Sequence, residues 1–351
     1  MMDVYAYYYP GFYQDDYRIT GTEWNVLKKA LPRNKDHYQP RVPVNGYYDQ
    51  ADLQTCKEQI QLAQKYGING FMICYYWDFE SSKPIMNKPL DCLMDALIGT
   101  NFKFNLMWVL RLPHKELPIK NGDFGKYSNH PWFKKRIQLF FRDENFINSV
   151  NKISQHPNYR LDKDRKPFFQ IYSVSELLLL HGKEETKNIL NIFNNYHLQG
   201  VCGRDDEWIG EAEKLKLNSV TSYVTLVNFN SNKSILKHSE CVNNQAIVWE
   251  NIINATNVPY YPSVSSGWDA SPRGEFIKNF QLKKFPWSPI VIDANPSDFY
   301  LNLKNAVETF SKNNVDLHIA SWNEWSEGHY IEPDLKYGTQ FLEKIKIINT
   351  K

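Results

Sequence analysis

The 351-residue chain lacks several features that mark common protein classes. It has five cysteines, Cys56, Cys74, Cys92, Cys202 and Cys241, an odd number with no CxxC pair. That pattern argues against a disulfide framework and a zinc site, and points to free core thiols in a reducing compartment. No stretch approaches the ~18 consecutive apolar residues of a membrane span. The opening MMDVYAYYYP has neither the basic nor the apolar region of a secretory leader. The expected location is therefore cytoplasmic as the sequence stands, and periplasmic or at the cell surface if a leader has been removed. Neither GxGxxG nor GxxxxGK[ST] occurs, so a nucleotide cofactor has no support, and no cofactor or metal is expected. Charged residues make up 23% of the chain and the net charge is +2, with no basic block or acidic tail. This argues against nucleic acid or an anionic membrane as the main partner, and no protein partner is evident.

Aromatic residues are plentiful: 15% of the chain, with 22 Tyr, 20 Phe and 10 Trp. Part of that fills a core. Trp and Tyr also present flat apolar faces with polar edges, which suit sugar rings, so a carbohydrate is the expected substrate. Short aromatic or apolar runs alternate with longer amphipathic ones. Strands are expected at 4–10, 68–77, 102–111, 166–173, 198–203, 217–224, 258–268 and 316–322. Helices are expected at 52–67, 89–99, 144–155, 184–197, from 206 to about 216, at 242–254 and at 296–314. Alternation of this kind implies a parallel sheet, and about eight units imply a single-domain (β/α)8 TIM barrel over residues 1–351, with long βα loops and a loop insertion at about 11–50. An open doubly wound sheet is the alternative, but its glycine-rich phosphate loop is missing after strand one.

Barrel chemistry sits at the C-terminal ends of the strands. This rule nominates Tyr8 and Tyr9, then Tyr76 and Trp77, then Trp108 and Arg111. It continues with Tyr172 and Glu176, with Tyr223, with Trp268, Asp269 and Arg273, and with Asn323 and Trp325; Tyr330 and Glu332 follow as candidates beyond strand eight. The long first loop adds Glu23 and Trp24, beside His37, Tyr38 and Arg41. His114, His181 and His238 lie in polar stretches and read as surface histidines. The rim is rich in carboxylates and rings and poor in His and Cys. In SWNEWSEGHYIEPD, Glu324 and Glu327 are three positions apart. On a helical turn this spacing places two carboxylates on one face, and like charges so close cannot both ionise easily. One becomes a general acid and the other a general base, the pair that glycoside chemistry requires. The plainer alternative is a solvated first turn of the last helix, where Glu favours the dipole.

The ordered segments AYYYPGFY, GTEWNVLKKALP, HYQPRVP, GYYD, YGINGFMICYYW, KPFFQIY, GWDASPR and SWNEWSEGHYIEPDLKYG resemble the WbsX-type family, whose members are often labelled polysaccharide-biosynthesis glycosyltransferases. More distantly they are similar to glycoside hydrolase family 99, the endo-α-mannosidases. The resemblance spans residues 5–345. It implies a (β/α)8 barrel acting on glycosides with retention, with both glutamates of the E-W-x-E motif catalytic. Glu324 would be the base that deprotonates the sugar 2-OH, which attacks C1 to give a 1,2-anhydro sugar. Glu327 would be the acid for the leaving group and then the base for water. The chain departs from the family after strand three: MWVLRLPHKELP stands where an N-E-N-W-like stretch is usual. Three functions remain in view: a retaining glycoside hydrolase, a glycosyltransferase in bacterial surface polysaccharide (O-antigen or capsule) assembly, and a non-catalytic carbohydrate-binding protein.

Overall fold

The computed structural model describes residues 2–120, 143–277 and 284–349. Eight parallel strands close into a barrel: β1 (Val4–Tyr8), β2 (Gly70–Asp78), β3 (Lys103–Val109), β4 (Phe168–Tyr172), β5 (His197–Cys202), β6 (Ser219–Ser222), β7, divided by Pro262 into Tyr260–Tyr261 and Ser263–Ser265, and β8 (Leu317–Ala320). The break in β7 is where the ring closes. Its first half pairs with β6, Val220 opposite Tyr260, and its second half pairs with β8, Ser265 opposite Ala320. Proline brings no N–H to a ladder, which explains why the strand divides there. The Pro262 carbonyl still accepts from His318 N at 2.9 Å. Val4 opposite Leu317 joins β8 to β1.

Helices cover the outside for local reasons. The helix Leu53–Lys65 starts where the Asp52 side chain accepts from Thr55 N, and it buries Cys56, Gln59, Ile60 and Ala63 along one stripe. The helix Pro296–Phe310 opens with proline at its first position, and the Asn295 side chain accepts from two backbone amides. Three expected helices differ in form. The segment after residue 206 is only the 3-10 turn Glu207–Glu211. The helix expected at 242–254 is two, His238–Asn243 and Gln245–Ala255. The helix expected at 184–197 runs instead over Val174–Asn191, kinked where Gly182 takes φ 71°.

Strand parity decides which aromatic residues reach the barrel mouth. Tyr5, Tyr7 and Tyr9 share one cluster with Met72, Cys74, Tyr76, Met107 and Val109, while Tyr8, Trp77 and Trp108 belong to the shell between strands and helices. Tyr8 donates to Gln59 on the first long helix at 2.8 Å. Trp77 Nε1 donates to Asp143 at 2.7 Å, and Trp108 packs on Phe146 with ring centroids 5.2 Å apart. These three residues, expected at the substrate, are core instead. A shift of one position turns a side chain from mouth to shell, and unbroken aromatic runs hide the parity.

Below the mouth the barrel is filled by amides and hydroxyls. Gln170 Nε2 donates to Gln199 Oε1 at 2.8 Å, Gln199 Nε2 to Ser219 Oγ at 2.9 Å, and Asn105 Nδ2 to Gln170 Oε1 at 3.2 Å. Such a linked network fixes the floor on which the mouth residues stand. The five cysteines are free thiols, as expected.

Candidate active site

After β8 the chain does not enter its last helix, which begins only at Gln340. It forms a tight hairpin: Asn323 pairs with Tyr330 and Glu324 with His329, around the 3-10 turn Trp325–Glu327. Residues i and i+3 eclipse on a 3-10 turn, so Glu324 and Glu327 face the same space. Gly328 ends the turn with φ 67°; a Cβ there would stand 2.7 Å from the Arg41 guanidinium and 2.9 Å from Asp269 N. Asn323 clasps the end of β1, accepting from Tyr9 N at 2.8 Å and donating to Tyr9 O at 2.9 Å. The Ser321 hydroxyl donates to His329 O and accepts from Glu324 N, at 2.8 and 2.9 Å.

A third carboxylate joins from the long first loop. Glu23 is buried beside the pair, and Arg273 from the GWDASPR segment ties all three together. Its Nη2 donates to Glu23 Oε2 at 2.9 Å and to Glu324 Oε2 at 3.0 Å, and its Nη1 donates to Glu327 Oε1. Arg18 Nη2 donates to Glu23 Oε1 at 2.6 Å, Tyr9 donates to the same oxygen at 2.5 Å, and Ser326 donates to Oε2. His329 Nε2 donates to Glu327 Oε2 at 3.0 Å, and Tyr223 reaches Glu324 Oε1 at 3.4 Å.

Burial is the largest influence on each carboxyl, and neighbours decide the outcome. Burial pushes Glu324 well above the usual carboxylate range; Glu327 and Glu23 add to it, and Arg273 opposes without prevailing. Burial would also raise Glu327, but Arg273 and the His329 hydrogen bond outweigh it and hold Glu327 below its ordinary value. Glu23 is carried down to about 2 against burial by Arg18, Arg273 and two hydroxyl donors. Burial keeps His329 neutral by lowering it. The cluster therefore sets one carboxyl driven toward its protonated form beside two held toward ionisation, with two guanidiniums among them. Opposed ionisation in adjacent groups is what acid–base chemistry needs.

Donor atoms of Glu324, Glu327 and His329 lie within 4.8 Å of one another, a spacing that could hold a cation. The Arg273 guanidinium already bonds both carboxylates, so positive charge between them comes from the chain itself.

The remaining candidates support this cluster or stand apart from it. Trp268 stacks on His329 at 5.4 Å with 13° between rings, and Tyr76 meets Tyr9 edge-on at 6.4 Å. Asp269 is fully buried and faces the other way. It accepts from His37 and Gln39, both at 2.7 Å, and lies 3.0 Å from Arg41, while its own N–H donates to Glu327 O at 2.6 Å. It holds the hairpin rather than the mouth. Trp325 stacks on Tyr330 at 3.8 Å and donates to Glu332 at 2.7 Å. Glu332 also accepts from Tyr48 at 2.6 Å and Gln59 at 2.7 Å, and burial pushes it up to about 7. Trp24 packs between Phe12 and Trp325 at 4.2 and 6.1 Å. These four brace the hairpin from outside. Arg111 lies apart, on the rim after β3, bonded to Glu176.

Arg18, Ser326 and His329 were not among the residues singled out for the site; Arg273 was, as a residue of the rim, but not as the group that joins three carboxyls. Arg273 had a visible signal, being the cation in a segment already noted for its Trp and Asp. The hairpin that turns His329 back on Glu327 had none beyond Gly328. Two histidines differ from expectation: His238 is fully buried at a helix start, and burial together with Arg273 lowers His114 to about 4.

Among solved structures the chain is similar to the GH99 endo-alpha-mannosidase from Bacteroides thetaiotaomicron, with 15% identity, a TM-score of 0.61, and coverage of 100% of this chain and 98% of that one. A glycoside hydrolase-like protein matches with 16% identity and a TM-score of 0.60, over 99% of this chain and 93% of that one. Likeness at this identity establishes the barrel fold that the chain shares with these proteins. Among curated proteins, the uncharacterized protein WxcX of Xanthomonas campestris pv. campestris is 26% identical over 343 residues, covering 92% of this chain and 45% of the relative. The chain thus spans about half the length of the curated relatives it matches. The family model described as Glycosyltransferase WbsX matches residues 4–345, and the chain belongs to that WbsX family.

Proposed function

We propose that the chain cleaves glycosidic bonds in a poly- or oligosaccharide with retention, using Glu324 and Glu327. The supporting observation is two buried carboxyls at the mouth of a glycoside hydrolase-like barrel whose ionisation is driven in opposite directions. One oxygen of each lies within 4.8 Å of the other, so both can act on a single glycosidic bond.

In the resemblance-based route, a base takes the proton of the sugar 2-OH and that oxygen attacks C1. The C1–O bond to the leaving group breaks as the acid protonates the departing oxygen. Water then opens the 1,2-anhydro ring. The resemblance implies Glu324 as base and Glu327 as acid, whereas the unliganded charges favour the reverse. An activated aryl glycoside separates the two, because a good leaving group needs no acid. The Gln variant that retains cleavage of that substrate identifies the acid; if both Gln variants keep full activity on a natural glycan, the pair is not catalytic.

Transfer to a sugar acceptor is the second reading, favoured by the family description. An Asp-x-Asp spacing occurs at Asp162–Asp164, but it precedes β4 and Asp162 bonds His197 at the start of β5, 3.0 Å away. That is the opposite end of the barrel from the carboxylate cluster. Product analysis with and without an acceptor sugar distinguishes transfer from hydrolysis.

A further inference from the structure

The rim formed by β3 and β4 carries an ion pair of a different kind. Arg111 follows β3 by two residues, and its side chain is 70% exposed. Its Nε donates to Glu176 Oε1, and its two Nη groups have no partner among the described residues. Glu176, in the first turn of the helix Val174–Asn191, is only 10% exposed in its side chain, and its second oxygen is sealed from solvent with no hydrogen bond. Burial raises the Glu176 pKa, with Arg111 opposing only in part.

This pair is a poor device for stability. A buried oxygen without a partner carries a desolvation penalty, and a half-exposed ion pair returns little. What the arrangement achieves is placement: Glu176 fixes the guanidinium by one edge and leaves the other edge facing outward, the geometry that accepts an anion. It is separate from the carboxylate cluster, but two tyrosines bridge them. Tyr172 ends β4 within electrostatic range of Glu327, Arg111 and Glu176, and its ring packs edge-on against Tyr223 at 5.6 Å. Tyr223 in turn reaches Glu324. Arg18 and Arg273 are bonded among the carboxyls of that cluster, so their positive charge offsets its repulsion of a negative substituent on the neighbouring sugar.

We propose that Arg111, positioned by Glu176, recognises an anionic group on the sugar ring adjacent to the one attacked, so that the substrate is an acidic glycan. This rests on the carbohydrate-processing reading above. The anion can be a uronate carboxylate or a phosphoryl group, which share this chemistry.

Matched neutral, uronate-bearing and phosphorylated oligosaccharides, titrated against wild type and Arg111→Gln, test it. Wild type is expected to bind one anionic series at least about tenfold more tightly than its neutral counterpart, and Arg111→Gln to abolish that preference while binding neutral glycans within about twofold of wild type. The anionic preference should also weaken in about 0.5 M salt in wild type alone. The series that shows the preference identifies the anion. Arg111→Met/Glu176→Met, expected to unfold at a midpoint no lower than wild type, separates recognition from folding. Equal binding of neutral and anionic glycans by wild type, or a preference that survives Arg111→Gln, overturns the proposal and leaves the glycosidase reading standing. If no series binds and none is cleaved, both fall together.

Discussion

Two rims of one barrel are built on different terms. The rim of β7, β8 and β1 is over-determined. Arg273 bonds three carboxylates, Glu23 takes bonds from Arg18, Tyr9, Ser326 and Arg273, and the hairpin is clasped by Asn323 in front and Asp269 behind. The rim of β3 and β4 offers one exposed arginine on one buried carboxylate. A chemical step needs groups held to a fraction of an ångström, whereas recognition of a charged substituent tolerates a guanidinium free along one edge. On the proposed reading, the barrel separates reaction from selection by how many bonds each side chain makes.

The largest effects should come from the over-determined rim. Glu327→Gln should lower cleavage of a natural glycan by about 10²–10⁴-fold while the thermal midpoint stays close to wild type; a loss that tracks unfolding would instead make Glu327 structural. Arg273→Met leaves Glu23 and Glu327 with their central cation missing, and urea unfolding should show a loss of about 3–5 kcal/mol. A change as small as that expected for Arg111→Met/Glu176→Met would erase the contrast between the rims. Next comes pH. Glu23 has a folded value of about 2 against an ordinary 4.5, so its contribution to stability is full above the ordinary value and disappears as pH falls toward 2. The stability gap between wild type and Glu23→Gln, measured by urea unfolding across that range, should therefore close as the medium becomes more acidic. Glu324 has the opposite sign: its raised value favours the folded state when protonated, and that contribution is lost as pH rises through it.

The barrel was legible because alternation of strand and helix runs along the whole chain, and because Pro296 and Asp52 mark helix starts in the ordinary way. Glu324 and Glu327 were legible because their spacing and flanking tryptophans are local. Parity was not: YAYYY and CYYW contain aromatic residues at consecutive positions, so nothing in the pattern says that Tyr9 and Tyr76 face the mouth while Tyr8 and Trp77 face helices. Trp325 is near the pair in sequence, yet its indole turns outward to Glu332. The joining role of Arg273 was not legible, because Glu23 meets it from 250 positions away and only closure of the ring brings them together.

The smallest expected effect lies on the seam between the rims. Tyr223 packs against Tyr172 on one side and reaches Glu324 on the other at 3.4 Å, a long bond. Its hydroxyl favours the ionised carboxylate, so Tyr223→Phe should raise the Glu324 pKa further and change the rate by only about two- to fivefold. The direction of the pH–rate shift then reports the role of that carboxyl. If Glu324 donates the proton, the variant stays active to higher pH, because the alkaline limb of the profile moves up. If Glu324 is the base, the acid limb moves up and activity is lost at a pH where wild type still works. A profile that does not move would mean that Glu324 is not titrating in the step that limits the rate, and the mouth of the barrel would then owe its chemistry to Glu327 with Glu23.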